Sequence, residues 1–157
     1  MSLSAGDAAP TFSLPDSDTE AFSLDDARSD GPVVLLFFPG AFTGVCTTEL
    51  NTVGNDYSRY TDLGAQVVGI STDSPFALAE FKKANGFPFR LLSDHDGEVS
   101  EAYGAKYDGD FTPMKLSRIA KRAAFVVDRD GTLGYAEVLE NAGEQPDFDA
   151  VRAALPA

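Results

Sequence analysis

An apolar run passes through a turn into a helix-like segment in VVLLFFPGAFTGVCTTEL, residues 33–50. The run at 33–38 contains no polar residue, a pattern typical of a strand that is buried on both faces of a sheet. A Pro-Gly pair ends the run, because proline and glycine mark turns. A helix is expected to follow, from about Thr43 to Leu63. The only cysteine, Cys46, therefore lies just inside a helix that follows a buried strand.

Strands and helices alternate along the rest of the chain. Short apolar segments are separated by turn residues, and one helix has a clear opening signal in Ser74 followed by Pro75. The predicted elements are, in order, a hairpin of 11–14 with 21–24, a strand at 65–72, a helix from 74 to about 86, a strand within 87–94, a short helix around 97–104, a hairpin of 122–128 with 131–139, and a closing helix within 145–157.

A βαβ unit followed by a helix, an antiparallel hairpin and a last helix predicts a mixed β-sheet with helices on both faces. This is the order of a thioredoxin-like α/β fold, here preceded by an N-terminal hairpin extension. We expect a single domain over residues 1–157, because this length suits one ordinary hydrophobic core. Reactive groups of such sheets gather beyond the carboxyl ends of the strands, which is where Cys46 is predicted to lie.

The chain is strongly acidic, with 25 Asp and Glu against 12 Lys and Arg and a formal net charge of −13. Nucleic acid and anionic membranes are poor partners for such a surface. The segment MSLSAGDAAP lacks the basic flank and apolar run of a signal peptide, and the run at 33–38 is too short to cross a bilayer. We therefore expect a soluble, cytoplasmic protein. The dispersed acidic residues also indicate adaptation to high internal salt, which would screen their mutual repulsion.

The predicted position of Cys46 favours chemistry over packing. In the first turn of a helix, unpaired backbone N–H groups and the positive end of the helix dipole stabilise an anion, here the thiolate. Thr43, three residues earlier, would bring its hydroxyl beside the sulfur, and Pro39 would shield the sulfur from water. The alternative is that Cys46 is a small buried apolar residue and Thr43 a helix cap, which is the commoner situation for a lone intracellular cysteine.

The neighbouring sequence excludes several thiol chemistries. A thioredoxin-type dithiol needs a second cysteine where Glu49 stands, and a phosphatase loop needs an arginine where Thr52 stands. A cysteine protease needs a histidine base, and the only histidine, His95, lies in a distant, surface-like turn. One cysteine and one histidine cannot form a zinc site, so no metal is expected.

The spacing Pro39-x-x-x-Thr43-x-x-Cys46 resembles the active-site motif of the peroxiredoxins, thiol peroxidases of the alkyl hydroperoxide reductase and thiol-specific antioxidant family. The resemblance extends over nearly the whole chain. LLSDHDGEVSEAYGA, at 91–105, is similar to the family's segment before its late helix. KRAAFVVDRDG is similar to the strand with the family's active-site arginine, here Arg122. AFTGVCTTEL and the single cysteine most resemble the one-cysteine, alkyl hydroperoxide reductase E-like subgroup.

The resemblance implies a peroxidase, without a cofactor, whose Cys46 thiolate attacks a hydroperoxide and becomes a sulfenic acid. Charge builds on the departing oxygen during this attack, so the site needs donors aimed at both peroxide oxygens. Arg122 would supply them together with the Thr43 hydroxyl and the backbone N–H groups of Val45 and Cys46. The matching family position suggests that Glu49 orients the arginine; the alternative is an exposed helix residue.

The implied partners are a hydroperoxide and an external thiol. Without a second cysteine, the sulfenic acid must be reduced by a thioredoxin-like or glutaredoxin-like protein or by a small thiol. Phe42, with Phe37, Phe38 and Phe87, would form an apolar collar that admits organic hydroperoxides as well as hydrogen peroxide, or would belong to the core. The family resemblance also suggests a homodimer.

The sequence leaves two other functions and one assignment open. A monothiol peroxide sensor that signals to a partner protein would use the same residues. A binding module would leave the cysteine incidental. The assignment of the arginine depends on the register of its strand, because Arg118 and Lys121 are near neighbours of Arg122.

Overall fold

The computed structural model describes residues 3–109 and 116–155. Within these ranges the strands are β1 (Ser13–Pro15), β2 (Ala21–Ser23), β3 (Val33–Phe37), β4 (Gln66–Ser71), β5 (Arg90–Ser93), β6 (Ala123–Val127) and β7 (Leu133–Val138). The helices are α1 (Leu24–Arg28), α2 (Gly44–Asn55), α3 (Tyr57–Thr61), α4 (Pro75–Asn85), α5 (Glu98–Ala102) and α6 (Phe148–Ala153).

Five strands form one mixed sheet in the order β5-β4-β3-β6-β7. β4 runs parallel to both β3 and β5, whereas β6 runs antiparallel to both β3 and β7. β1 and β2 form a separate antiparallel hairpin at the N-terminal end. The predicted thioredoxin-like α/β fold, with a mixed sheet and an N-terminal hairpin, is confirmed.

The central strand β3 separates two cores, because alternate residues of a strand point to opposite faces of the sheet. Val34 and Leu36 pack in one core with side chains from α2, α3, α4 and α6. Val33, Leu35 and Phe37 pack in the other core with side chains from the hairpin, α1 and α5. All five residues of β3 are buried, which explains why the strand reads as a continuous apolar run.

The single helix predicted over 43–63 is in fact two helices, α2 and α3. Asp56 interrupts it with a φ of −101° and a ψ of 15°, which lie outside the helical region. Gly54 and Asn55 precede the break, and both residue types are poor helix formers. The prediction was wrong here because the apolar pattern continues through the break.

The short helix α1 was not predicted, since five residues are too few to show helical periodicity. Helix α4 has the predicted ends: the Ser74 hydroxyl accepts from the N–H of Ala77, Pro75 is its first residue, and Gly86 ends it with a φ of +66°. Among the described residues, no helix combines the length and apolar character needed to span a membrane.

Candidate active site

Helix α2 begins at Gly44, and Thr43 precedes it in an extended conformation, with a φ of −81° and a ψ of 153°. The N–H of Thr47 donates to the carbonyl of Thr43 at 2.9 Å. The N–H groups of Gly44, Val45 and Cys46 come before that bond and so have no partner within the helix. As predicted from the sequence, the helix presents backbone donors and the positive end of its dipole beside the thiol.

Cys46 is fully buried although it lies in the first turn of α2. It faces inward because Leu50 and Val53, four and seven residues later, lie on the same side of the helix and belong to the same core. Pro39, which follows the end of β3, is also buried. The sulfur is therefore shielded from bulk water.

Arg122 reaches the sulfur from the neighbouring strand. It directly precedes β6, which pairs with β3, and the residue is only 1% exposed. Its Nη2 donates to Cys46 Sγ at 3.2 Å and to the carbonyl of Ala142 at 3.0 Å, and its Nη1 donates to Glu49 Oε1 at 2.6 Å. One guanidinium thus bridges the thiol and a carboxylate that lie one turn apart on the same helix face.

The charges of this cluster respond differently to burial. Burial raises the pKa of Glu49 to about 7, against the opposing attraction of Arg122. Burial alone would lower the pKa of Arg122, but Glu49 and Cys46 outweigh it and raise that pKa, so the guanidinium stays charged. Glu49 is therefore the member of the ion pair whose charge changes near neutral pH.

Two buried polar atoms of this ion pair, Glu49 Oε2 and Arg122 Nε, have no hydrogen-bond partner among the described residues. Buried polar side-chain atoms are usually paired, so an unpaired acceptor and donor beside a thiol need an explanation. They leave the cluster with capacity for further hydrogen bonds to a small polar molecule.

The other two basic residues are engaged elsewhere. Arg118 pairs with the exposed Asp96 at 3.5 Å, and Lys121 pairs with Glu140 at 2.9 Å. Of the three candidates near this strand, Arg122 is the one that contacts the sulfur. The register that the sequence left open is therefore settled by the pairing of β3 with β6.

Thr43 lies where the motif predicts, but its hydroxyl bonds differently. Its Oγ1 donates to the carbonyl of Gly40 at 2.9 Å. A hydroxyl has one hydrogen to donate, so it does not also donate to Cys46 in this conformation. The predicted role of this hydroxyl, as a donor to the thiolate or to an incoming peroxide oxygen, therefore stays a prediction.

The predicted apolar collar is only partly assembled. Phe42 is 59% exposed beside the motif, and its ring lies 5.0 Å from that of Phe81, measured between centroids. Phe38 and Phe87 belong to the same core as Cys46, but Phe37 points to the opposite face of the sheet. Including Phe37 was wrong, because neighbouring strand residues face opposite sides.

Two further groups near the site were not predicted from the sequence. Burial raises the pKa of Tyr107, which is close enough for Arg122 to pull that pKa down and for Cys46 to push it up. The carbonyl of Ala142 accepts from Arg122. A backbone carbonyl leaves no signal in a sequence, and Tyr107 lies in no recognisable motif.

A concave space among the described residues lies elsewhere, between the first hairpin and α5. Its volume is about 630 Å³, and it is lined by His95 but not by Cys46. His95 is exposed and its Nδ1 lies 3.2 Å from the carbonyl of Thr72. The described residues contain no cluster of three His, Cys, Asp or Glu side chains suited to a metal ion. The chemistry of the thiol cluster, rather than its volume, identifies the candidate site.

Known proteins resemble this chain over most of its length. Residues 5–136 match the AhpC/TSA family profile. A putative peroxiredoxin of Mycobacterium tuberculosis is 40% identical over 135 residues, covering 86% of this chain and 85% of that protein. Peroxiredoxin Bcp of Escherichia coli K12 is 37% identical over 133 residues, covering 85% and 84% respectively.

A solved structure shows the same likeness in three dimensions. Peroxidoxin BcpB of Mycobacterium tuberculosis has a TM-score of 0.86 at 32% identity, covering 98% of this chain and 96% of that one. Two of these relatives are named Bcp or BcpB, and the alkyl hydroperoxide reductase E-like subgroup stays a prediction. With a family match over most of its length, the chain belongs to the AhpC/TSA family and is a peroxiredoxin, a thiol-dependent peroxidase.

Proposed function

We propose that Cys46 is the residue that peroxide oxidises, and that Arg122 stabilises the charge that develops during the reaction. The observation that carries this proposal is the 3.2 Å contact between Arg122 Nη2 and Cys46 Sγ at the first turn of α2. A permanently charged guanidinium and the free N–H groups of a helix N-terminus both favour the thiolate, which is the reactive form of a thiol.

The first step transfers one oxygen atom to the sulfur. The Cys46 thiolate attacks one oxygen of the hydroperoxide, and an S–O bond forms as the O–O bond breaks. The sulfur is oxidised by two electrons, and the departing oxygen takes up a proton to leave as water or an alcohol. The product at Cys46 is a sulfenic acid. In this proposal, the donors that stabilise the negative charge on the reacting oxygens are Arg122, the N–H groups of Val45 and Cys46, and the Thr43 hydroxyl where it turns towards the peroxide.

The second stage requires a thiol from another molecule, since the 157 residues contain one cysteine. The external thiol condenses with the sulfenic acid to give a mixed disulfide and water, and a second thiol releases Cys46 in its reduced form. A thioredoxin-like protein, a glutaredoxin-like protein or a small thiol has the required chemistry.

The proposed substrates are hydrogen peroxide and organic hydroperoxides. Phe42 supports the second class, because it holds an exposed aromatic ring next to Thr43 at the start of α2. An apolar surface at that place would contact the alkyl group of an organic hydroperoxide and so favour its binding, but it would contribute nothing to the binding of hydrogen peroxide. Comparing the rates with hydrogen peroxide and a fatty-acid hydroperoxide in Phe42→Ala, with Phe76→Ala as an exposed aromatic control, tests this point.

The function as a whole is tested by measuring how many equivalents of peroxide the protein consumes. Purified protein is mixed with excess hydrogen peroxide, first alone and then with dithiothreitol, and peroxide loss is compared with that in buffer and thiol alone. We expect a first, fast phase of about one equivalent without thiol, a dimedone adduct on Cys46 when dimedone is present during that phase, and continued turnover with thiol. Consumption that stops at one equivalent with every thiol tried would instead indicate a sensor. No consumption at all would overturn the proposal.

We also propose a single-domain, cytoplasmic enzyme that forms a homodimer. The length of the chain and its composition support the first two points, and the family resemblance supports the third. Sedimentation of the protein as a monomer at working concentration would contradict the homodimer.

A further inference from the structure

Asp73 connects the carboxyl end of β4 to the loop that precedes the thiol. Its Oδ2 accepts from the N–H of Ala41 at 2.8 Å, across 32 residues of chain. The same oxygen accepts from the hydroxyl of Ser71 at 2.7 Å. The carboxylate is thus held by its own strand on one side and holds the loop on the other.

Two buried hydroxyls fix Asp73 in this position. Ser71 Oγ accepts from the N–H of Asp73 at 3.2 Å, and Ser93 Oγ, from the neighbouring strand β5, donates to the carbonyl of Asp73 at 2.6 Å. The two serines are 0% and 2% exposed. A buried hydroxyl is costly unless it forms hydrogen bonds, and both serines bond to Asp73. The two serines therefore orient the Asp73 carboxylate independently of its bond to the loop.

The loop that Asp73 holds is strained. Phe42, which follows Ala41, has a φ of +65°, a value that bulky residues rarely adopt. Such a conformation persists only where its surroundings hold it. Here the N–H of Ala41 is fixed by Asp73, the ring of Phe42 lies against Phe81, and the hydroxyl of Thr43 closes the loop onto the carbonyl of Gly40.

We propose that Asp73 is a positioning residue for Cys46, acting through its hydrogen bond to Ala41. The loop at 40–43 leads directly into the first turn of α2, so its placement sets the distance from Cys46 Sγ to Arg122. Without the bond, the strained loop relaxes and the first turn moves away from the guanidinium. This inference rests on the proposed function, in which Cys46 attacks peroxide while Arg122 stabilises the charge.

The test compares Asp73→Ala with Asp73→Asn, which keeps a carbonyl oxygen that can accept from Ala41. Asp62→Ala removes an exposed carboxylate at the end of α3 and is the matched control. Three quantities are measured: the rate of Cys46 oxidation by hydrogen peroxide, the rate of Cys46 modification by a bulky aromatic disulfide, and the hydrogen exchange of the Ala41 amide.

In Asp73→Ala we expect peroxide oxidation to slow by on the order of tenfold to a hundredfold, the range that a displacement of about 1 Å costs a reactive group. Modification by the bulky reagent should become faster, because a loosened first turn exposes the sulfur, and the Ala41 amide should exchange faster. Asp73→Asn should stay within about threefold of the unchanged protein in each measurement. Opposite changes in the two thiol reactions separate positioning from a general loss of structure.

Three results would overturn the inference: an unchanged peroxide rate in Asp73→Ala, equal losses in Asp73→Ala and Asp73→Asn, or an Ala41 amide that exchanges as before. If Asp73→Ala does not fold, Ser93→Ala takes its place, because it removes one of the bonds that orient Asp73. It should change the same three quantities in the same directions but less strongly. Unchanged values in Ser93→Ala would also contradict the inference. A protein that never consumes peroxide would refute the proposed function, whereas the exchange of Ala41 would still decide the role of Asp73.

Discussion

Arg122 Nη1 lies 2.6 Å from Glu49 Oε1, and both side chains are almost completely buried. The same guanidinium donates to Cys46, so one positive charge serves two acidic groups on a single face of α2. Removing either partner of a buried ion pair leaves the other charge unpaired in a poorly solvated environment. The pair therefore links the stability of the protein to the reactivity of its thiol.

Cys46→Ser is expected to abolish peroxide turnover and preserve the fold. Serine has nearly the same size, but its hydroxyl stays protonated at neutral pH and is a poor nucleophile towards peroxide. Turnover is measured with excess thiol, and the far-UV circular dichroism spectrum reports the fold. Catalytic peroxide loss by this variant, above that in thiol and buffer, would contradict the mechanism.

Arg122→Ala is expected to lower the peroxidase rate by about two to three orders of magnitude, because a charged donor to the developing negative charge is lost. It should also lower the free energy of unfolding by roughly 3–5 kcal/mol, since Glu49 loses its partner. The double variant Arg122→Ala with Glu49→Gln separates these effects: it should regain most of the stability and none of the rate. Full activity in either variant would mean that another group stabilises the transition state.

Glu49 is expected to make stability depend on pH. Its folded-state pKa of about 7 lies above its ordinary value of 4.5, so between these values the folded state keeps a proton that the unfolded state has released. The stabilisation is fully present below about pH 4.5 and is lost as the pH rises through 7. Urea unfolding of the unchanged protein and of Glu49→Gln across this range measures the effect. The difference between their free energies of unfolding should change by a few kcal/mol between pH 4.5 and pH 7. Two parallel profiles of unfolding free energy against pH would contradict this prediction.

Thr43→Val is expected to slow peroxide oxidation by roughly fivefold, because the loop loses the bond from the Thr43 hydroxyl to Gly40, worth about 1 kcal/mol. Thr43→Ser keeps that hydroxyl and is the matched control, with an expected rate close to that of the unchanged protein. The measured quantity is the second-order rate constant for Cys46 oxidation. A Thr43→Val protein that is oxidised as fast as the unchanged protein would show that the bond to Gly40 does not matter for the rate.

The acidic surface predicts greater stability in salt. The 157 residues carry a net charge of −13, so their acidic side chains repel one another. This repulsion acts over roughly 30 Å in dilute buffer but over only about 3 Å in molar salt. The melting temperature should rise from dilute buffer to 1 M potassium chloride. The melting temperature of a variant with less negative charge, such as Asp18→Asn with Asp62→Asn, should rise less over the same change in salt. A melting temperature that is flat or falls would argue against adaptation to a salty interior.

Local patterns made much of the fold predictable. The apolar run that became β3, the caps of α4 and the turn before α2 depend on residues close together in the chain, so their spacing is visible in the sequence. Arg122 was assigned through a family resemblance, and its contact with the sulfur depends on the pairing of β3 with β6.

The rest of the site depends on residues far apart in the chain. The family resemblance suggested that Glu49 orients the arginine, but its burial beside a guanidinium 73 residues away could not be predicted from its own helix. The bond between Asp73 and Ala41 spans 32 residues, and a Ser-x-Asp segment after a strand does not indicate its partner. The direction of the Thr43 hydroxyl follows from the loop conformation, which includes a positive φ that no sequence rule assigns to phenylalanine.

If Cys46 is the residue that peroxide oxidises, as proposed, its complete burial bears on which of two fates the oxidised form meets. While the first turn of α2 is folded around the sulfur, a small peroxide is admitted more readily than a thiol carried by a protein. The sulfenic acid then partitions between a second peroxide, which gives sulfinic acid, and an opening event that admits the reductant. In that case, stronger hydrogen bonds in the loop would keep the first turn folded for longer and would lower the peroxide concentration at which the enzyme inactivates itself.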